Sequence, residues 1–376
     1  MLWYGAFSRA NRSSAEKNRH QDAWESSSII MQSPELLPAP LTRREFFVQC
    51  SFAGAGLAVL QEQEPKATRQ SALALAKNKE RTEALDAALS LLGAIDFEGK
   101  DVYLKANFNS PDPFPATTHP ETLAGVVRHL RQRNCARVIL VERSGMGRTR
   151  DVWRKLGVPD LAKRLDLSLV ALDEIPSETW RHEELNNSHW KRGVEVPNLL
   201  NAETCVVQIC NLKTHRFGGH FSASLKNSVG FIAKYSSQPP RYNYMTELHS
   251  SPDQRSMIAE VNQIYAPHLV VMDAIQAFVN GGPERGDMAY PEMIAASQDR
   301  VAIDAAGVAV LRLHGAGPPL SRGTVFDQEQ LKRAVELELG AKSVQEIQFL
   351  TLDDPGRRLA AQITASLDTA PKDKKP

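Results

Sequence analysis

Val138-Ile139-Leu140-Val141 is a short, continuous apolar run of the kind found in strands that are buried on both faces of a sheet. Outward from this run, similar segments predict further strands at residues 102–106, 168–172, 205–209, 269–272 and 347–352. Helical spacing of apolar residues predicts helices over 71–93, 118–130, 221–230, 254–264, 302–313 and 327–338. Because strands alternate with helices, the sequence predicts an α/β domain with a mainly parallel sheet flanked by helices. Two lobes with a cleft between them fit the same pattern.

Three segments of different composition divide the chain of 376 residues. Residues 71–355 form the predicted α/β domain, which is long enough for a proper core. Residues 1–70 are predicted to be a disordered leader followed by an export signal. Residues 356–376, which end in Lys, Pro and Asp, are predicted to be a disordered tail.

The composition excludes several classes of protein. Lys and Arg total 45 and Asp and Glu total 44, so the formal charge is +1 and there is no basic footprint for nucleic acid. The 4 cysteines include no C-x-x-C pair, so we expect no iron–sulfur cluster held by this chain alone. No stretch reaches the ~18 to 20 apolar residues of a membrane helix, and we expect no stable membrane anchor.

The segment Thr42-Arg43-Arg44-Glu45-Phe46-Phe47 resembles a twin-arginine export motif. A mildly apolar stretch over 46–60 follows it, too short for an anchor but suited to a signal peptide. The sequence therefore predicts recognition by the twin-arginine translocase and a location in the periplasm or outside the cell. About forty residues precede the arginines, so translation from Met31 is a second hypothesis. Export of the folded protein is compatible with a metal or organic cofactor of unknown identity.

Polar clusters follow several predicted strands, at the edge where α/β folds place their sites. The richest is Leu212-Lys213-Thr214-His215-Arg216-Phe217-Gly218-Gly219-His220, in which we expect the glycine pair to open a helix carrying Lys226 and Asn227. Such a helix terminus with nearby cations favours an anion. A solvated basic loop is the alternative interpretation. A second cluster, residues 142–148, lacks the spacing of a nucleotide-binding loop, and Glu142 could instead face the same cleft.

The candidate residues fall into three groups by role. The acid/base or metal-ligand candidates are His215, His220 and Asp273. The candidates for substrate binding are Lys105, Asn107, Lys213, Arg216, Lys226 and Asn227. The candidates for cofactor binding are Gly218, Gly219 and His119, although His119 could equally be a capping residue. Thr118 is the expected N-cap of the helix that follows, and Asp304 could cap a later helix.

In combination these motifs resemble the family called domain of unknown function 362. The resemblance rests on five segments in order across about residues 95–315: Lys105-Ala106-Asn107, Thr117-Thr118-His119-Pro120-Glu121, Lys213-Thr214-His215 with Leu225-Lys226-Asn227 and Gly230, Gly281-Gly282-Pro283 with Gly286, and Val301-Ala302-Ile303-Asp304-Ala305. The resemblance implies an α/β fold, but it does not imply any particular reaction. Some members are associated with iron–sulfur modules, and this chain lacks the clustered cysteines of that branch.

The leading hypothesis is an exported enzyme that acts on a small anionic substrate through the basic, histidine-containing cleft. Lys213, Arg216 and Lys226 would hold the anion, and a histidine would move a proton or bind a metal. Two alternatives stay open: a non-catalytic periplasmic protein that binds an oxyanion or a metal, and an accessory subunit of an exported redox complex.

Overall fold

A ten-stranded sheet organises the part of the chain that the structure, a computed structural model, describes, namely residues 70–369. The strands are β1 (Ser71–Lys77), β2 (Asp101–Lys105), β3 (Arg137–Glu142), β4 (Ser168–Ala171), β5 (Trp180–Glu183), β6 (Val194–Pro197), β7 (Cys205–His215), β8 (His220–Ser222), β9 (Leu269–Gly281), β10 (Gly286–Ala289), β11 (Met293–Ser297) and β12 (Ile347–Leu350). The helices are α1 (Arg81–Leu91), α2 (Pro120–Gln132), α3 (Thr149–Lys155), α4 (Val158–Arg164), α5 (Ser224–Asn227), α6 (Tyr244–Ser250), α7 (Gln254–Glu260), α8 (Arg300–Leu313), α9 (Glu329–Glu336) and α10 (Asp354–Asp368).

The sheet is mainly parallel, as the sequence predicts. Its order is β12-β1-β11-β9-β7-β2-β3-β4, with β10 on β9 and β8 on β7, while β5 and β6 pair separately. The run β9-β7-β2-β3-β4 is parallel throughout, and β11 enters antiparallel between β1 and β9. The described residues form one unit around this sheet, and two lobes are not seen among them.

Helices cover both faces of the sheet, which is why its central strands are apolar on both sides. Helices α1 to α4 pack on one face and α5 and α7 to α10 on the other. Alternate residues of β9 divide between the two layers, with Val270 and Met272 in one and Leu269 and Val271 in the other. All residues of β7 are buried, so this strand lies at the centre of the molecule.

Residues 71–77 form a strand, so the prediction of one helix over 71–93 is wrong for its first part. Leu73 and Leu75 face one layer and Ala74 and Ala76 the other, because β1 lies between β11 and β12 with both faces covered. Alanine and leucine favour helix on propensity alone, and here tertiary pairing overrides that preference. The helix itself is shorter, from Arg81 to Leu91.

The prediction of Thr118 as an N-cap is also wrong. His119 caps α2, and its Nδ1 atom accepts from the backbone N–H of Glu121 at 3.2 Å. The Thr118 hydroxyl accepts from the backbone N–H of Asn107 at 2.8 Å, so it ties the loop before α2 to the end of β2.

Residues 354–368 form α10, which corrects the predicted disordered tail over this part of the chain. Asp353 caps the helix by accepting from the backbone N–H of Gly356 at 2.8 Å. Leu359, Ile363 and Leu367 recur at helical spacing and are buried against the sheet layer. The twin-arginine segment, Met31 and the last seven residues lie outside the described residues. Within residues 70–369, no helix has the length and apolar character to cross a membrane.

Candidate functional site

A pocket of about 530 Å³ lies at the carboxyl ends of β2, β3 and β7. Parallel strands place their carboxyl ends at one edge of the sheet, so residues far apart in sequence meet there. The polar residues that line the pocket are Lys105, Asn107, Asn109, Glu142, Arg143, Lys213, His215, Ser222, Lys226, Asn227, Lys234 and His249. The structure therefore brings together five predicted substrate-binding residues and one predicted catalytic residue.

Lys105 and Glu142 form the fixed part of the pocket wall. Lys105 Nζ lies 2.7 Å from Glu142 Oε1 and donates to the carbonyl of Ala106 at 2.6 Å and to Asn227 Oδ1 at 3.1 Å. The Glu142 carboxylate also accepts from the backbone N–H groups of Phe108 and Arg143. Burial lowers the pKa of Lys105, and the charge of Glu142 opposes that shift. The negative charge of Glu142 is thus balanced by Lys105 and is not available to the other cations of the pocket.

Lys213 is a buried lysine that has no carboxylate partner within residues 70–369. Its ammonium donates to the backbone carbonyl of Ala116. The pairing of β7 with β9 shifts register between Asn211 and Lys213, an irregularity of the kind that re-aims side chains near functional sites. Burial lowers the pKa of Lys213 to about 7, and the charges of Lys105 and Lys226 act in the same direction. Near neutral pH this amine therefore exists in both protonation states.

Lys226 is partly buried on α5, and it makes no hydrogen bond or ion pair with the residues that the structure describes. Burial, with a smaller contribution from Arg143, lowers the pKa of Lys226 to about 8. The short helix that carries Lys226 is held by Asp304 of α8, which accepts from the backbone N–H groups of Ser224 at 2.7 Å and Leu225 at 3.0 Å. Asp304 is thus a cap, as the sequence allows, but of α5 rather than of its own helix.

Arg143 adds a further buried cation. Its guanidinium donates to the carbonyls of Ile232 at 2.6 Å and Val229 at 2.8 Å, while Nη1 has no hydrogen-bond partner among the described residues. Burial lowers the pKa of Arg143 to about 10. Glu142 is the sole carboxylate among the lining residues. The pocket therefore carries an excess of positive charge.

His215 is neutral at pH 7 in this setting. Burial holds its pKa well below the usual range, and the charges of Lys226 and Lys213 add to the effect. Its Nδ1 atom is buried without a partner among the described residues. A Cβ added at Gly219 would lie 3.2 Å from that atom, so the glycine leaves room for the imidazole ring.

Gly218 and Gly219 form the turn of the β7–β8 hairpin, which corrects the expectation that they open a helix. Gly218 has a φ of 83°, a left-handed conformation that favours glycine. His220 is the partner of His215 across this hairpin, but its own φ is 60° and its side chain lines a separate depression beside Arg322. The structure thus separates the two predicted catalytic histidines.

Three other predicted residues lie outside the pocket. Asp273 is fully buried among α1, α2 and β9, where Arg81 Nε donates to it at 3.0 Å and Thr122 donates through its hydroxyl. Arg216 pairs with Glu284 and donates to the carbonyl of Gly282 at 2.7 Å. His119 caps α2 and lines a different depression.

Sequence reasoning placed Arg143 in the second cluster without making it a candidate site residue, and it did not single out His249 or Met245. Arg143 directly follows the apolar run of β3, and this position at a strand end could have indicated a site residue. His249 and Met245 lie on α6, and their approach to the pocket depends on packing that no local pattern displays.

Comparison with known proteins places the pocket inside a recognised region. The family model described as "Domain of unknown function (DUF362)" matches residues 102–309, which is more than half of the chain and includes every lining residue of the pocket. A thylakoid-associated protein of Synechocystis sp. is 26% identical over 239 residues, covering 62% of this chain and 68% of that protein. No solved structure matches the chain.

Proposed function

The chain belongs to the DUF362 family, and we propose that its pocket binds a small anionic substrate whose conversion uses Lys213 for proton transfer. The observation that carries the proposal is the unbalanced charge of the pocket. Arg143 and Lys213 are buried and Lys226 is partly buried, and the single lining carboxylate is already paired with Lys105. Burying cations without counter-charge is costly, and a bound anion would offset that cost.

The donors of the pocket suit a carboxylate or a phosphate. The Lys226 ammonium has no partner among the described residues, and the unpartnered Nη1 atom of Arg143 is buried, so it adds positive charge rather than an exposed donor. Hydrogen bonds from such charged donors to an oxyanion are about twice as strong as neutral ones. The hairpin glycines and Arg216 do not line the pocket, so the proposal gives them no direct contact with the anion.

Lys213 is the residue whose protonation suits catalysis at neutral pH. A general acid or base is most effective when its pKa lies near the working pH, and burial brings that of Lys213 to about 7. His215 stays neutral and can orient the substrate by hydrogen bonding. Asp273 and His220 are outside the pocket, so the proposal gives them no catalytic role.

The proposal includes no metal site. Within residues 70–369, no three His, Cys, Asp or Glu side chains form a group that could hold a metal ion. His215 is also surrounded by cations, a setting that disfavours a metal cation. Export by the twin-arginine translocase stays a prediction from Arg43 and Arg44.

Calorimetric titration with a panel of small carboxylates and phosphates at low salt tests the proposal. At least one anion should bind, and Lys226→Met should weaken its affinity about tenfold or more, since a charged hydrogen bond is lost. Lys163→Met, an exposed lysine on α4, is the matched control and should leave the affinity unchanged. Failure of every anion to bind, or equal binding by Lys226→Met, would refute the proposal.

A further inference from the structure

Two large apolar side chains are exposed at the mouth of the pocket, while its wall is charged. Met146, from the loop after β3, is 44% exposed, and Phe217, at the β7–β8 turn, is 48% exposed. Met245 of α6 and Pro283 after β9 line the same pocket. Folded proteins ordinarily bury large apolar groups and expose charges, so this pocket reverses the usual arrangement.

Phe217 is set against the polar wall by specific contacts. Its ring meets the His215 ring edge-on, with 5.9 Å between centroids and 74° between the planes. The Arg216 guanidinium lies 4.3 Å from the centroid of the Phe217 ring. Because Arg216 is itself paired with Glu284, Phe217 is supported on one side and still exposed at the mouth.

The volume of the pocket exceeds what a bare oxyanion fills. It measures about 530 Å³, within the roughly 300–1,000 Å³ range of sites for organic ligands. One water molecule takes up only ~30 Å³ in the liquid. An inorganic oxyanion bound at Lys213 and Lys226 would leave most of this space, and the apolar mouth, in contact with water.

We propose that the substrate is an amphiphilic organic anion, with an acidic head group at Lys213 and Lys226 and an apolar or aromatic group at the mouth. Phe217 and Met146 contact that apolar group and determine specificity for it. This inference rests on the proposed function, because it extends the anion site with a second, apolar subsite. Other exposed apolar side chains, such as Tyr290 and Leu352, do not line the pocket.

Two matched probe pairs test the inference on the full chain: methylphosphonate with phenylphosphonate, and acetate with benzoate. In at least one pair, the aromatic probe should bind about tenfold or more tightly, because its ring leaves water. Phe217→Ala should weaken the aromatic probe about three- to tenfold and leave its small partner unchanged. Lys226→Met should weaken both members. Tyr290→Ala, which removes an exposed aromatic ring away from the pocket, should change neither affinity.

The outcomes separate the two proposals. Equal affinity within each pair, or an unchanged aromatic affinity in Phe217→Ala, overturns the amphiphilic substrate and leaves the anion site standing. Absence of binding by all four probes overturns both proposals. A thermal unfolding measurement checks the fold of Phe217→Ala. Because the side chain is half-exposed, we expect the variant to unfold at the same temperature as the wild type.

Discussion

Lys105 Nζ lies 2.7 Å from Glu142 Oε1, so the last residues of two adjacent parallel strands form a buried ion pair in the pocket wall. The main effect of this ion pair is on the charge balance of the neighbouring lysines. Lys105 neutralises Glu142, the one carboxylate among the lining residues. Lys213 and Lys226 are therefore left without a paired counter-charge from the lining residues. The anion that we propose takes the place of that missing charge.

Gly230→Ala should disrupt this wall. A Cβ at Gly230 would lie 2.6 Å from Lys105 Cε and 2.9 Å from Glu142 Oε1, closer than real side chains approach. We expect a loss of about 1–3 kcal/mol in the free energy of unfolding, as for overpacking, and at least a fewfold loss of anion affinity. Chemical denaturation and calorimetry measure the two effects.

The matched control for Gly230→Ala is Gly125→Ala in α2. Its Cβ would clash with Cδ2 of the buried Leu85, so this variant should also lose stability, but the site is outside the pocket. Anion affinity should be unchanged in this control. Equal affinity in Gly230→Ala and the wild type would contradict the idea that this glycine protects the ion pair.

Anion affinity should fall as the pH rises. Burial lowers the pKa values of Lys213 and Lys226 to about 7 and about 8, and only their protonated forms attract an anion. Acetate keeps one charge above about pH 5.5, so its affinity should be level from about pH 5.5 to 6.5 and decline from about pH 7 to 9. Lys213→Met should remove the part of the decline near pH 7. A flat profile in the wild type would rule out both lysines as anion ligands.

Asp304→Ala should weaken both the fold and the anion site. The carboxylate caps the buried N–H groups of Ser224 and Leu225, so its loss should cost about 1–3 kcal/mol in unfolding free energy. Because α5 carries Lys226, anion affinity should also fall. Asp353→Ala removes the cap of α10 and should cost about 1 kcal/mol with no change in affinity. Equal affinity in both variants would show that Asp304 acts on stability alone.

Asp273→Asn should destabilise the protein without affecting anion binding. It leaves Arg81, whose side chain is 10% exposed, without its closest counter-charge, and breaking such a buried pair costs about 3–5 kcal/mol. Anion affinity, measured well below the unfolding temperature, should match the wild type. A loss of affinity without a loss of stability would show instead that Asp273 takes part in anion binding.

Local patterns predicted the strands at the centre of the sheet well. The runs at the cores of β2, β3, β7 and β9 are apolar because both faces of these strands are covered, and that property is visible in a few residues. The strand β1 was missed because its partners, β11 and β12, are more than 200 residues away, and alanine and leucine locally favour helix. The α10 pattern of Leu359, Ile363 and Leu367 was present in the sequence and was outweighed by the polar tail beyond it.

The sequence by itself determined the α/β class, the family, and the placement of Lys105, Lys213 and Asn227 near one edge of the sheet. Strand ends carry this information, because parallel strands share the direction in which they end. Tertiary structure decided which charges are paired. It paired Asp273 with Arg81 and Glu142 with Lys105, separated His220 from His215, and left Lys213 and Lys226 without a carboxylate partner among the lining residues. Charge balance depends on distances between elements remote in sequence, and no local pattern encodes those distances.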